Sequence, residues 1–174
     1  MAAAPGAESK LDTEASTHVL EADQWVPTAL DDTFEFFADA ANLEAITPPF
    51  LHFHILTPLP MEMCEGALIA YSMRLNGLPV RWLTRIEEYA PGVRFVDRQV
   101  RGPYRRWIHT HTFEAERDGT RVRDRIEYEL PWEPLSTPLH RLYVRPTLDR
   151  IFEHRRHVIA RLLGDQKVRQ GRSG

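Results

Sequence analysis

The chain carries one cysteine, Cys64, among its 174 residues, so no internal disulfide can staple it, and a reducing, cytoplasmic compartment is the expectation. No window approaches the roughly 18 consecutive apolar residues that a membrane-spanning helix needs, so integral membrane association is not expected. The opening residues, MAAAPGAESK, lack the basic segment and apolar run of a secretory signal. Neither sign of charge dominates. A formal net charge of -3 gives no global attraction to nucleic acid or to an anionic membrane. There is no internal repeat and no Gly-rich dinucleotide fingerprint, which argues against solenoid and Rossmann architectures.

What remains is one domain's worth of chain with 43% hydrophobic residues, enough for a sizeable core. Residues 1 to 16 and 164 to 174 have little to bury and read as disordered tails around a single domain at 17 to 163. Between residues 67 and 131, turns at Asn76-Gly77, Pro91-Gly92, Gly102-Pro103 and Asp118-Gly119 separate runs of alternating apolar and polar residues. That is an antiparallel meander. A first strand runs from His18 to Val26 and stops at Pro27. Thr28 is placed to cap a helix that carries Asp31 and Asp32 in its first turn and Leu30, Phe34 and Phe37 on one face. A second short helix starts at Asp39 or Asn42 and ends before Thr47-Pro48-Pro49. A strand over 51 to 56 follows, then a loop over 57 to 66 with Pro58, Pro60, Met61 and Met63, long and apolar enough to form a rim or lid. One long amphipathic helix closes the domain at 138 to 163, with Pro146 marking its natural start.

Period-two alternation sorts the strand residues by face. Trp82, Thr84 and Ile86 share one face, then Phe95, Asp97 and Gln99, then Trp107, His109, His111 and Phe113, then Val122, Asp124, Ile126 and Tyr128. Asp97, Gln99, His109, His111 and Asp124 therefore interrupt faces that are otherwise apolar, on three successive strands. Buried without partners, each such group costs about 2 kcal/mol or more, so they form a mutually bonded layer, line a hydrated cavity, or both. On the long helix, Val144, Leu148, Ile151, Phe152, Val158, Ile159 and Leu162 form an apolar stripe with Arg155 near its middle. Arg155 can pair with Asp97 or Asp124, bind an acidic ligand group, or snorkel to the rim.

The strings TPPFLHFHILTP (47 to 58), GLPVRWLTRI (77 to 86), RFVDRQVRGPYRRWIHTHTFE (94 to 114) and VRDRIEYELP (122 to 131) resemble those of bacterial ligand-binding members of the SRPBCC superfamily. That superfamily includes START domains, birch-pollen-type allergens and polyketide cyclases. The resemblance spans about residues 17 to 163 and implies an α+β helix-grip fold. In that fold a seven-stranded antiparallel sheet wraps a long C-terminal helix, two short helices follow strand 1, and a cavity lies between. A related domain also occurs fused to an epimerase-like partner, but the missing fingerprint means that activity does not carry over. The resemblance supplies no catalytic motif, and a fold does not fix a function.

Three classes stay open. The first is a non-catalytic binder of a small lipid-, polyketide- or aromatic-like molecule. Its wall would be Tyr71, Trp82, Thr84, Phe95, Trp107, Phe113, Tyr128 and Ile151, with Asp97, Gln99, His109, His111, Asp124 and Arg155 orienting a polar group. The second is a cyclase- or dehydratase-like enzyme in which His109 or His111, oriented by Asp124 or Asp97, moves a proton on a bound ketone. The third is a protein-interaction domain with a solid, polar-layered core. Both His109-x-His111 and His52-x-His54 have a spacing that can ligate zinc. Leu51, Phe53 and Ile55 claim the inner face of the second pair's strand, however, and the reading assigns no metal and no cofactor. Nucleic acid is not expected either: over residues 80 to 130, eleven arginines meet nine acids, mostly interleaved on outer strand faces.

Overall fold

The computed structural model describes residues 17–132 and 135–170, the last six of these through their backbone only. The expected tail over 1 to 16 and the end of the chain from 171 lie outside the described residues. Seven strands, β1 (His18–Val26), β2 (His54–Ile55), β3 (Leu68–Leu75), β4 (Leu78–Ala90), β5 (Arg94–Arg101), β6 (Arg106–Glu116) and β7 (Gly119–Glu129), form one antiparallel sheet. Its order is β1-β7-β6-β5-β4-β3-β2. Hairpins explain all of it except the join of β1 to β7, where nine residue pairs from His18↔Tyr128 to Val26↔Thr120 bring the first strand beside the last. Helices α1 (Leu30–Ala38) and α2 (Asn42–Ile46) follow β1, and a short 3-10 turn (Pro49–Leu51) leads into β2. At the far end come α3 (Thr137–Leu139), a π-helical turn (His140–Val144) and α4 (Arg145–Gln170).

The turn chemistry sets the hairpins. Asn76 and Gly77 both take positive φ, 51° and 82°, which is what a two-residue connection between right-twisted strands demands. The β6–β7 hairpin departs from expectation, because its loop residues are Arg117 and Asp118, with Arg117 at φ 54°, and Gly119 already belongs to β7. Gly119 serves close approach instead. A Cβ there would overlap the Val26 carbonyl oxygen and come within 2.8 Å of the Trp25 ring.

Other boundaries move for stated reasons. The strand expected over 51 to 56 shrinks to two residues, because the 3-10 turn ends with His52 in the left-handed region at φ 44°. Thr28 does not cap α1. The N-cap position is Ala29, without a side-chain bond, while Thr28 Oγ1 donates to the Leu163 carbonyl at 3.1 Å. The Thr28 carbonyl in turn accepts from Thr33 Oγ1 at 3.3 Å and Thr120 Oγ1 at 2.8 Å. One residue thus ties β1, α1, β7 and the far end of α4. The α-helix proper begins at Arg145, one residue from the expected Pro146, but helical turns already run into it from Thr137. The Pro146 ring would clash with the carbonyl of residue 142 in regular α geometry, and the wide π turn immediately before α4 absorbs that conflict. The helix does not stop at 163, since α4 continues to Gln170.

Two apolar clusters fasten α4 to the concave face. Ile159 and Leu163 join Phe34, Phe37, Phe95 and Phe113, and Leu148 joins Trp82, Trp107, Ile126 and Tyr128. A bulge at Glu87 resets the alternation of β4. Ile86 pairs with Asp97, Glu88 with Val96 and Tyr89 with Phe95, so Tyr89 returns to the inner face and packs on Phe34 at 5.6 Å. Among the described residues, no helix is long and apolar enough to cross a membrane.

The Gly119 geometry yields a prediction. Because the obstructing atoms are backbone carbonyl and a packed indole, Gly119→Ala should lower the unfolding free energy by at least about 2 kcal/mol. Urea denaturation of Gly119→Ala beside Gly66→Ala, where nothing lies within 4 Å of the new methyl group, separates the steric cost from the positive-φ cost.

Candidate functional site

Three adjacent strands build the polar part of the inner face. The register pairs Asp97 with His109 across β5 and β6, and His111 with Asp124 across β6 and β7. The hydrogen bonds run diagonally to that register. His109 Nε2 donates to Asp124 Oδ1 at 3.0 Å, and His111 Nε2 donates to Asp97 Oδ2 at 3.0 Å. Directly opposite, His109 Nδ1 stands 3.6 Å from Asp97 Oδ2. His111 Nδ1 lies 2.8 Å from Asp124 Oδ1. The two imidazoles sit 3.8 Å apart between centroids, each residue only 5% exposed. Phe95 stacks on His111 at 4.2 Å and Phe152 meets His109 edge-on at 5.8 Å.

Burial and partners drive the four groups apart in charge. Desolvation, reinforced by the neighbouring His111, lowers the His109 pKa. Desolvation also opposes charge on His111, but the hydrogen bonds and negative charges of Asp124 and Asp97 outweigh it and raise its pKa. For Asp124, desolvation is overcome by hydrogen bonds from His109 and His111, which hold the carboxyl well below its usual range. Positive charge is thus disfavoured on His109 and favoured on His111.

A cavity of about 140 Å³ lies between this wall and α4. Tyr71, Trp82, Thr84, Phe95, Trp107 and Ile151 line it, as expected, and Asp97, His109, His111 and Arg155 face it from the polar side. Trp82 Nε1 donates to Thr84 Oγ1 at 3.0 Å, and the Tyr71 hydroxyl lies 3.3 Å from the same oxygen. Burial, with the nearby Asp97, pushes the Tyr71 phenol far up, so it stays protonated and able to donate.

Four expected site residues do not line this cavity. Gln99 is on the inner face but is spent on the 102–105 loop, where its amide donates to the Tyr104 carbonyl at 2.7 Å and accepts from the Tyr104 N–H at 3.3 Å. Phe113 is locked into the aromatic cluster under α1. Tyr128 is fully buried by β1 and the start of the long helix, its hydroxyl 2.7 Å from His140 Nε2. Asp124 faces a second, more open cleft between β1 and α4, of about 340 Å³. The imidazole–carboxylate cluster is thus a septum, with Asp97 on the cavity side and Asp124 on the cleft side.

Arg155 touches both spaces and pairs with neither acid. Its Nε is buried without a hydrogen-bond partner, and the guanidinium carbon sits 5.3 Å from the Phe152 ring centre. The expected outward turn of His52 and His54 is observed, both being exposed. Sequence reasoning did not assign Phe36, Phe37, Leu43 and Phe53 to the cavity wall: period gave Phe37 and Phe53 an inner face, but not which space over the sheet the short helices and rim would border. It also missed Tyr104, although the preceding Gly102-Pro103 turn folds that residue back over Trp82 at 5.6 Å.

No protein-family model matches the chain, and no curated protein matches it. Among solved structures it is similar to a START superfamily protein from Mycobacterium smegmatis (TM-score 0.63, 12% identity, 86% of this chain and 99% of that one). It is also similar to ginseng major latex-like protein 151 from Panax ginseng (TM-score 0.60, 14% identity, 84% and 97%). The architecture is the helix-grip fold. A nucleoside-diphosphate sugar epimerase from Corynebacterium glutamicum carries the same fold within 28% of its length (TM-score 0.60, 20% identity, 82% of this chain). At these identities the likeness fixes the helix-grip architecture and leaves the chemistry to the residues on its inner face.

The cluster makes stability depend on pH in a definite direction. His111 has a raised folded pKa, so its contribution is complete below the unfolded value of about 6.5 and is lost as pH rises through the folded value. His109, with a lowered folded pKa, acts oppositely and costs stability as pH falls below about 6.5. In chelator-containing buffer, wild type should exceed His111→Gln by the widest margin near pH 6, and the margin should narrow toward pH 9. Asp124→Ala, which removes the hydrogen-bond partner of the buried His109 Nε2 and one of the two carboxylates beside His111, should cost about 3 kcal/mol at pH 6 by urea denaturation.

Proposed function

We propose that this helix-grip protein binds one small, largely apolar molecule in the cavity between the sheet and α4. The observation that carries the reading is the make-up of that cavity: most of its wall is aromatic and aliphatic, with Asp97, His109, His111 and Arg155 as a polar group on the sheet and helix side and Asp39, Asn42 and Thr47 from the short helices. Such a site supplies area for affinity and a few polar groups for orientation. At about 140 Å³ it is close to the engineered cavity of about 150 Å³ that accepts benzene. The occupant is accordingly a single ring, or the ring-sized end of a longer molecule that emerges past Phe53 and Met63. An oxygen acceptor on that ligand would satisfy the unpartnered Arg155 Nε.

Nucleic acid is a poor partner for this surface. Many of the outer-face arginines are already engaged, as in Arg94–Glu88 at 2.6 Å, Arg121–Glu116 at 2.7 Å and Arg123–Glu114 at 2.7 Å. The two imidazoles on the cavity wall favour a second reading, a cyclase- or dehydratase-like proton transfer on a bound ketone. Deuterium exchange at the ketone's α-carbon, present in wild type and abolished in His109→Ala with binding retained, would establish it.

The binding reading is tested by thermal shift and tryptophan fluorescence of the full-length protein against monocyclic aromatic alcohols, ketones and carboxylic acids. Several should raise the melting temperature and perturb Trp82 and Trp107. Ile151→Trp, which fills the cavity, should fold as well as wild type and lose those shifts. A panel that moves neither signal in wild type overturns the reading.

A further inference from the structure

The sequence offers His109-x-His111 as half of a metal site, and sheet register brings a third donor. The Asp97 carboxylate, on the next strand, places Oδ2 3.0 Å from His111 Nε2 and 3.6 Å from His109 Nδ1, and all three donor atoms lie within 4.8 Å of one another. Donors held about 2.1 Å from a tetrahedral ion stand about 3.4 Å apart, which these separations bracket. We propose that Asp97, His109 and His111 bind one first-row divalent cation, of the class of Zn²⁺ or Fe²⁺, on the cavity wall.

Two further observations point the same way. The first is orientation. With His109 Nε2 bonded to Asp124, its Nδ1 is left facing the Asp97 carboxylate across 3.6 Å, too far for a hydrogen bond between the two and the right spacing for two donors to one ion. The second is the outer partner. Asp124 Oδ1 lies 3.0 Å from His109 Nε2 and 2.8 Å from His111 Nδ1, so one carboxylate addresses the non-ligating nitrogen of both imidazoles. That carboxylate–histidine arrangement is how metal-binding imidazoles are aimed and made more basic. Asp124 faces the side cleft while the three donors face the apolar cavity, so the remaining coordination positions open toward the bound molecule.

Three protein ligands of the two-histidine, one-carboxylate type leave room for a water or for an oxygen of the cavity's occupant. The exposed His52 and His54 have the same sequence spacing but no such surroundings. His54 is 3.9 Å from Glu44 with its side chain 72% exposed, and among the described residues the pair joins no three-donor cluster. Spacing alone does not make the site; the strand on either side of β6 does. The inference is independent of the identity of any organic ligand, since the metal alone is the probe.

Chelator-stripped full-length protein is titrated with Zn²⁺ by calorimetry and with Co²⁺ by visible absorption. The expected result is one ion per chain, with cobalt bands of a low-coordinate nitrogen and oxygen site. His109→Ala and Asp97→Ala should each weaken binding by at least about 100-fold, and Asp124→Asn by about 10- to 100-fold with the stoichiometry kept. The double variant His52→Ala/His54→Ala should bind as wild type does. Absence of saturable binding in folded wild type, or binding unchanged by Asp97→Ala, overturns the proposal. Should the cavity-wall variants fail to fold, zinc-edge X-ray absorption of wild type decides: two imidazoles and a carboxylate support the site, and any other ligand set refutes it.

Discussion

The pairing register of β5, β6 and β7 is the constraint from which everything else in this structure follows. Two diagonal hydrogen bonds, His109 to Asp124 and His111 to Asp97, cross three strands and hold only when each strand sits at its observed position. A slip of one residue would turn those four groups to solvent and carry Arg98, Thr110, Arg123 and Arg125 into the core. Burying arginines there against Phe95 and Trp107 would cost far more than any alternative pairing returns. The polar layer therefore acts against misregistration as well as being a site. Its cost is the desolvation of two carboxylates and two imidazoles, which good mutual geometry offsets and which an apolar layer would not incur.

The second requirement is that α4 stand at a fixed height over that layer. At one end Ile159 and Leu163 are clamped by the phenylalanines of α1 and the sheet, and the Thr28 hydroxyl holds the Leu163 carbonyl. At the other end Leu148 rests on Ile126 and Tyr128. Between the two clusters the helix presents Ile151, Phe152 and Arg155, which do not fill the space above Thr84, Asp97 and His109. The void is a consequence of two anchored ends with slimmer packing between them. It survives because the strands beneath it curve, helped by the extra residue at Glu87 that restores Tyr89 to the inner face.

Much of this was legible in the residues. Strict alternation over 105 to 116 placed Trp107, His109, His111 and Phe113 on one face, and the structure keeps them there with burial that alternates along the strand. Asn76-Gly77 fixed a hairpin because both residues tolerate positive φ. What was not legible has a common cause: it depends on partners distant in sequence. Thr28 sits where a cap belongs, yet its hydroxyl is claimed by a carbonyl 135 residues away. Gly119 looks like a turn glycine and is instead required by the carbonyl of Val26 on the neighbouring strand. Gln99 has the right face for the cavity, but the loop that follows β5 folds back within its reach. Asp124 alternates correctly and still opens on the other side of the layer, because side-chain period says which face a residue takes and not which of two spaces over that face it meets.

The asymmetry of the layer finally limits what the protein can do with a bound molecule. Asp124 and Arg155 border the open cleft, whereas Asp97 and both imidazoles meet the cavity. A molecule held in the cavity contacts the cluster only through Asp97, His109 and His111, and anything exchanged with solvent from the far side passes Asp124. The imidazole–carboxylate cluster gives the cavity one polar edge on the sheet, while the short helices add Asp39, Asn42 and Thr47 among Phe36, Phe37 and Ile46. The cluster itself sets a condition on whatever faces it: each of its buried polar groups left against hydrocarbon without a partner costs about 2 kcal/mol or more, so the layer stays in place through its own mutual hydrogen bonds.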